Sequence, residues 1–92
     1  MHLTIEFLGL ARELAGQSEG VVALPDSATW RDLFCGLAQQ FPALVGPVIV
    51  PDSCSLTDAY MLNIDGRTIV RQLDEPVQTG RRLLLMFAEA GG

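Results

Sequence analysis

Ninety-two residues confine the chain to one small domain with room for a single modest core. Apolar residues make up 49% and charged residues 18%, a balance that excludes a disordered chain and is enough to fold without covalent staples. The net charge of −5, with a pI of about 4.5, argues against nucleic acid as main partner, since phosphates are bound by a positive face, and favours a basic protein surface.

The first residues, Met1 to Glu6, lack a basic region followed by a long apolar stretch, and no segment approaches ~20 uninterrupted apolar residues. No membrane association is expected, and the default is a cytoplasmic protein with reduced thiols. Leu3, Ile5 and Phe7 alternate with Thr4 and Glu6, the period of a half-buried strand. His2 stands alone without a spaced ligand set, so no metal site is expected. Between Gly9 and Gly20, the stretch Leu10-Ala11-Arg12-Glu13-Leu14 can form one helical turn. Val21 to Leu24 reads as a second strand, stopped by Pro25.

Thr29 can cap a helix with Asp32 three residues on. Trp30, Leu33, Phe34, Leu37 and Phe41 then fall in one narrow sector and are read as core. Gly36 inside this helix costs about 1 kcal/mol relative to alanine, so packing must hold the helix together. Pro42 ends it. Cys35 lies away from the apolar sector, and Cys54 lies in the connection from Pro42 to Asp58. A disulfide between them stays open, because sequence supplies no distance. That connection is too long to be structureless in a compact domain, and a short strand or helical turn is expected within it.

Tyr60 to Ile64 reads as a strand, Asp65-Gly66 as a hairpin turn and Thr68 to Val70 as the return strand. Asp74-Glu75 precedes a proline turn and is read as solvated. Arg81-Arg82 reads as a charge pair at a hairpin end. Leu83 to Phe87 is an unbroken apolar run suited to a central strand. Strands and one main helix around one core predict an α+β fold, a sheet packed on a helix.

The chain has no lysine: its six cations are Arg12, Arg31, Arg67, Arg71, Arg81 and Arg82. Schiff-base chemistry is therefore excluded, as are chains of this protein linked through its own lysines. What carries chemistry is the end, Ala88-Glu89-Ala90-Gly91-Gly92. At an average glycine usage of about 7%, a terminal pair arises by chance in roughly one chain in 200. Lacking Cβ, two glycines can lie extended in a channel too narrow for side chains and deliver an α-carboxylate to another protein's buried site. Coupled to AMP, that carboxylate becomes a mixed anhydride that sulfur can attack, leaving a C-terminal thiocarboxylate.

Phe7-Leu8-Gly9-Leu10-Ala11-Arg12-Glu13-Leu14-Ala15-Gly16 resembles the opening of the MoaD family, the small subunit of molybdopterin synthase, within the MoaD/ThiS-type ubiquitin-like sulfur carriers. Leu24-Pro25 before a Thr-capped helix, Asn63, Leu73-Asp74-Glu75-Pro76-Val77, the Thr79-Gly80 turn and the terminal Gly91-Gly92 extend the resemblance over the whole chain. It implies a β-grasp, ubiquitin-like domain over 1–87 with first and last strands adjacent and parallel, and a tail over 88–92. It also implies that Gly92 is the adenylate and thiocarboxylate site, with Gly91 as its companion. No cofactor is expected on the chain itself. ATP would be used, and zinc held, by an adenylating, ubiquitin-activating-like partner enzyme. A second partner, the large subunit of molybdopterin synthase, would receive the sulfur.

Strand alternation then sorts the faces. If Leu3, Ile5, Phe7, Leu83, Leu85 and Phe87 cover the helix, Leu8, Leu84 and Met86 point outward, onto the face that the resemblance makes partner-binding. Arg12 is a further candidate for a partner carboxylate, and equally a solvated loop residue. Three other readings stand beside the molybdopterin one: a carrier for cysteine or thiamine synthesis, a modifier joined through Gly92 to lysines of other proteins, and a binding module with an inert tail.

Overall fold

The computed structural model describes residues 1–88. Strand β1 (His2–Phe7) leads into a short helix α1 (Leu10–Ala15), and β2 (Glu19–Ala23) returns antiparallel to β1. Helix α2 (Trp30–Gln40) follows, then a 3-10 turn at Pro42–Leu44 and a small ribbon of β3 (Ile49–Val50) and β4 (Ser55–Leu56). Strands β5 (Tyr60–Ile64), β6 (Thr68–Ile69) and β7 (Leu83–Phe87) complete a five-stranded sheet of order β2-β1-β7-β5-β6. The first and last strands lie side by side and parallel, Ile5 opposite Leu83 and Phe7 opposite Leu85. Such a pair needs a long crossover, which the intervening chain provides.

Helix α2 starts where the sequence places it. The Thr29 hydroxyl accepts from the Asp32 N–H at 3.3 Å, and the Asp32 carboxylate accepts from the Thr29 N–H at 2.9 Å, a reciprocal capping box. Trp30, Leu33, Phe34, Leu37 and Phe41 are all buried, packed on the face that also carries Leu3, Ile5, Phe7, Leu62, Leu83 and Leu85. Gly36 has a packing reason to be mid-helix: a Cβ there would sit 2.6 Å from Val22 Cγ1 of β2. The helix lies on the sheet at a distance that only a residue without a side chain allows.

The Asp65-Gly66 turn is a tight hairpin with both residues at positive φ, 56° and 71°, and the Arg67 N–H donates to the Ile64 carbonyl at 3.0 Å. The connection between Pro42 and Asp58 holds both kinds of element expected of it, the 3-10 turn and the β3–β4 ribbon, with Leu44, Val48 and Ile49 buried in the core.

Two expectations are corrected. Cys35 and Cys54 are not reduced thiols: their sulfurs are bonded at 2.04 Å, joining α2 to the turn between β3 and β4. The helix turns Cys35 off its apolar sector and the ribbon folds Cys54 back onto that side, a meeting that spacing along the chain does not reveal. Phe87, expected under the helix, is 48% exposed. Strand β7 runs past the helix, so the ring stacks on Tyr60 at a centroid distance of 4.8 Å and lies against Gly9 instead.

Candidate functional site at the outer face and the head of the tail

Strand β7 is the middle of the sheet and leads directly toward the C-terminal glycines. Past Phe87 the Ala88 N–H still donates to the Ala59 carbonyl at 2.8 Å, so the chain is held to the body through residue 88. Gly91 and Gly92, the sites of the expected chemistry, lie outside the described residues.

The face of β7 turned away from α2 carries the other half of its side chains. Across the sheet, one row runs Glu19, Glu6, Leu84, Asn63 and Ile69, fixed by the strand registers. The next row toward the tail holds Met86 opposite Met61, with Leu8 beside them where its N–H donates to the Leu85 carbonyl at 3.0 Å. The structure thus brings Leu8, Leu84 and Met86 together on one face. Leu8 is 37% exposed and Met86 is half-buried.

Leu84 differs from expectation in degree. It points outward but is only 9% exposed, because Glu6 and Asn63 flank it on the two neighbouring strands. Arg82, two residues before it on the same face, grips Glu6 through Nε at 2.6 Å and Nη2 at 3.0 Å. Arg12 does not join this face. It is exposed on α1, the helix whose Ala11 enters the core.

Alternation in β5 would have pointed to Met61 and Asn63 as further members of the outer face. Val21 and Ile69, both exposed, extend its apolar surface on the flanking strands. Asn63 is buried, and its Oδ1 has no hydrogen-bond partner among the described residues, an acceptor left without its donor.

Ion pairs border this face and the neighbouring turns. The Arg82 guanidinium pulls the Glu6 carboxyl below its ordinary pKa. Asp65 is lowered too, first by the Arg82 backbone N–H it accepts at 2.9 Å and then by the Arg81 guanidinium at 2.7 Å. Arg81 and Arg82 are therefore spent within the domain on Asp65 and Glu6, in line with their reading as a hairpin-end charge pair. Asp74, exposed, is held below its usual range by Arg31, whose Nε donates to it at 2.9 Å.

Beside the point where the chain leaves the sheet lies an open groove of about 510 Å³, which Met61 and Ile69 of the outer face also line. Leu56, Thr57 and Asp58 form one wall, Ile69, Val70 and Arg71 the opposite one, and Ala88 lines it where the chain leaves the sheet. Tyr60 also lines it. Its hydroxyl has no partner among the described residues, and burial pushes its pKa up. Among the described residues no three His, Cys, Asp or Glu side chains gather as metal ligands. No helix among them is long and apolar enough to cross a membrane.

Solved structures share this fold over most or all of their lengths. The crystal structure of SAMP1 from Haloferax volcanii superposes with a TM-score of 0.81 at 25% identity, covering 100% of both chains. A second H. volcanii structure, described as small archaeal modifier protein 1, gives 0.76 at 26% identity over 92% of this chain and 94% of that one. The fold is the ubiquitin-like β-grasp. A Pyrococcus furiosus protein, assigned provisionally as molybdopterin converting factor subunit 1, shares it at a TM-score of 0.67 and 20% identity, over 94% of this chain and 95% of that one. No protein-family model and no curated protein matches the chain.

Proposed function

We propose that the protein is a ubiquitin-like carrier whose Gly92 carboxylate is activated by an adenylating, ubiquitin-activating-like enzyme and converted to a thiocarboxylate for sulfur donation in molybdopterin synthesis. The observation that carries the reading is the position of Gly91-Gly92 in the chain: a few residues past the central strand of a β-grasp sheet whose end adjoins an apolar outer face and a groove. The carboxylate attacks the α-phosphate of ATP and expels pyrophosphate. A sulfur nucleophile then displaces AMP from the acyl carbon and leaves the thiocarboxylate. None of these steps asks for a catalytic side chain on the carrier, which contributes the terminal carboxylate and a surface for its partner to hold. The sulfur's recipient would be the large subunit of molybdopterin synthase, or its counterpart in a cysteine or thiamine pathway.

A second reading has a specific observation behind it. The two solved structures at 25–26% identity are both named as small archaeal modifier protein 1. In that reading the amine of a lysine on another protein attacks the Gly92 acyl carbon of the same adenylate, forming an amide and releasing AMP. With no lysine of its own, the chain would attach singly, without building lysine-linked chains of itself.

Intact mass separates the outcomes after incubation with ATP, an activating enzyme and a sulfur donor. Exchange of one oxygen for sulfur at the C-terminus supports the carrier. Stable high-mass conjugates support the modifier, and an unaltered mass overturns both. Gly92→Val sharpens the test, since it keeps the carboxylate but adds a β-branched side chain. A folded variant that binds the enzyme yet exchanges pyrophosphate poorly is expected; wild-type exchange would show that the channel does not select glycine.

A further inference from the structure

We propose that Cys35–Cys54 is a site of reversible thiol–disulfide exchange, taking a dithiol reductant as its substrate, that sets the wall of the groove beside the tail. Both cysteines are partly exposed, so a reductant can reach the bond. One thiolate of the dithiol attacks a cysteine sulfur, forming a mixed disulfide and releasing the other cysteine as thiolate. The second thiolate then closes the reductant's own disulfide and releases the first cysteine. Two electrons pass to the protein, and the two protons that leave the reductant's thiols end on Cys35 and Cys54. In a thiol-reducing compartment such a bond is held only transiently, under oxidation.

The consequence is local because of where the bond sits. The β3–β4 ribbon has only two rungs, Ile49 opposite Leu56 and Val50 opposite Ser55, and it is not part of the main sheet. Two-stranded ribbons have little stability of their own. Strand β3 is anchored by buried Val48 and Ile49, and the turn is tied to α2 by the disulfide and by Arg31 Nη1, which donates to the Ser53 carbonyl at 2.7 Å. Cys54 is held at φ 50° and Asp52 at φ 72°, left-handed conformations that non-glycine residues keep only when their surroundings enforce them. With the bond open, Cys54 is free to relax, and the next residues, Ser55 to Asp58, are β4 and the groove wall facing Ala88. Oxidation therefore preforms that wall, and a preformed surface binds its partner more tightly than one that must be ordered.

The effect on activation rests on the Gly92 reading; the effect on the groove does not, and the experiment separates them. Free thiols are counted and amide hydrogen exchange is followed by mass spectrometry on oxidised wild type, wild type reduced with dithiothreitol, and the Cys35→Ser/Cys54→Ser protein, alongside pyrophosphate exchange with the activating enzyme. The oxidised protein is expected to show no titratable thiol. Exchange over residues 51–57 should rise several-fold in both the reduced and the serine proteins, with β1 and β7 unchanged, and pyrophosphate exchange should slow several-fold at low carrier concentration. If the serine protein fails to fold, reduced wild type carries the test. Equal exchange over 51–57 in both redox states overturns the proposal, as does equal activation of the two forms when both are adenylated. A redox-dependent exchange difference in a protein that is never adenylated in either state supports the latch and defeats the Gly92 reading instead.

Discussion

Strand β7 presents two apolar faces that do different work. Leu83 and Leu85 are almost wholly buried against α2 and the other inward residues of β1 and β5, while Leu84 and Met86 alternate with them toward the open side of the sheet. On the inner face burial is complete because a helix covers it. On the outer face it falls off toward the tail, from Leu84 at 9% exposed, hemmed in by Glu6 and Asn63, to half-buried Met86 and exposed Leu8. Hydrophobicity along a strand thus says that both faces want cover, whereas the structure shows which face has it. The half without a helix is the half available to another protein.

Truncation should separate the two faces most strongly. Leu85→Ala removes a fully buried side chain under α2 and is expected to cost about 2–5 kcal/mol. For a domain of this size each kcal/mol shifts the melting temperature by roughly 4–8 °C, so thermal unfolding reads it directly. Met86→Ala, one residue on, should cost well under half as much. Equal losses at the two positions would show that the outer face is as much a part of the core as the inner one.

Charge at the three outer positions is the next test. Leu84→Asp places a carboxylate at a site almost closed to water and should destabilise the fold by more than the about 1–3 kcal/mol that an unpaired buried hydroxyl or amide costs. Met86→Asp and Leu8→Asp should leave the circular dichroism spectrum and melting temperature nearly unchanged. Each should nevertheless weaken binding to the activating enzyme by about tenfold or more, the loss of a contact worth more than 1 kcal/mol. Unaltered affinity in both would retire this surface as the docking face.

Much of this was legible from residue order, and the failures have a common cause. The capping box at Thr29, the Trp30–Phe41 stripe, the Asp65-Gly66 turn and the inward set Leu3, Ile5, Phe7, Leu83 and Leu85 are all local patterns, set within a few residues of one another. Leu84, Phe87 and the Cys35–Cys54 bond depend on what lies across space: two flanking strands, the end of a helix, and a ribbon folded back over it. Alternation assigns a side, and only the neighbours decide how far that side is covered. Gly36 shows the same limit from another direction. Its helix-breaking cost was visible in the chain, but its reason, the Val22 methyl 2.6 Å from where a Cβ would stand, was not. Gly36→Ala therefore sets a propensity gain of about 1 kcal/mol against overpacking of about 1–3 kcal/mol. A modest net loss of stability is expected, and a gain would mean that helix and sheet can move apart without penalty.

Acid should produce the smallest effect, and it should come from the outer face and turns alone. Glu6, Asp65 and Asp74 all have carboxyls held below their ordinary pKa by arginines or a backbone N–H, whereas the core cluster holds no carboxyl or imidazole, and its one phenol, Tyr60, stays protonated in acid. A group whose pKa is lower folded than unfolded binds protons more readily when unfolded, so its contribution is complete at neutral pH. It is lost as pH falls from the ordinary carboxylate range, near 4, through the depressed folded values. These pairs are reached by solvent, so each contributes little, and salt diminishes it further. Urea unfolding midpoints should accordingly be flat between pH 8 and pH 6, fall modestly below about pH 4, and fall less in Glu6→Gln, which has no carboxylate to protonate against Arg82. High salt should shrink the acid effect without moving the neutral plateau. A steep acid collapse that survives both Glu6→Gln and high salt would place the responsible proton in the buried half of the sheet, where the described residues hold no carboxyl or imidazole to take it.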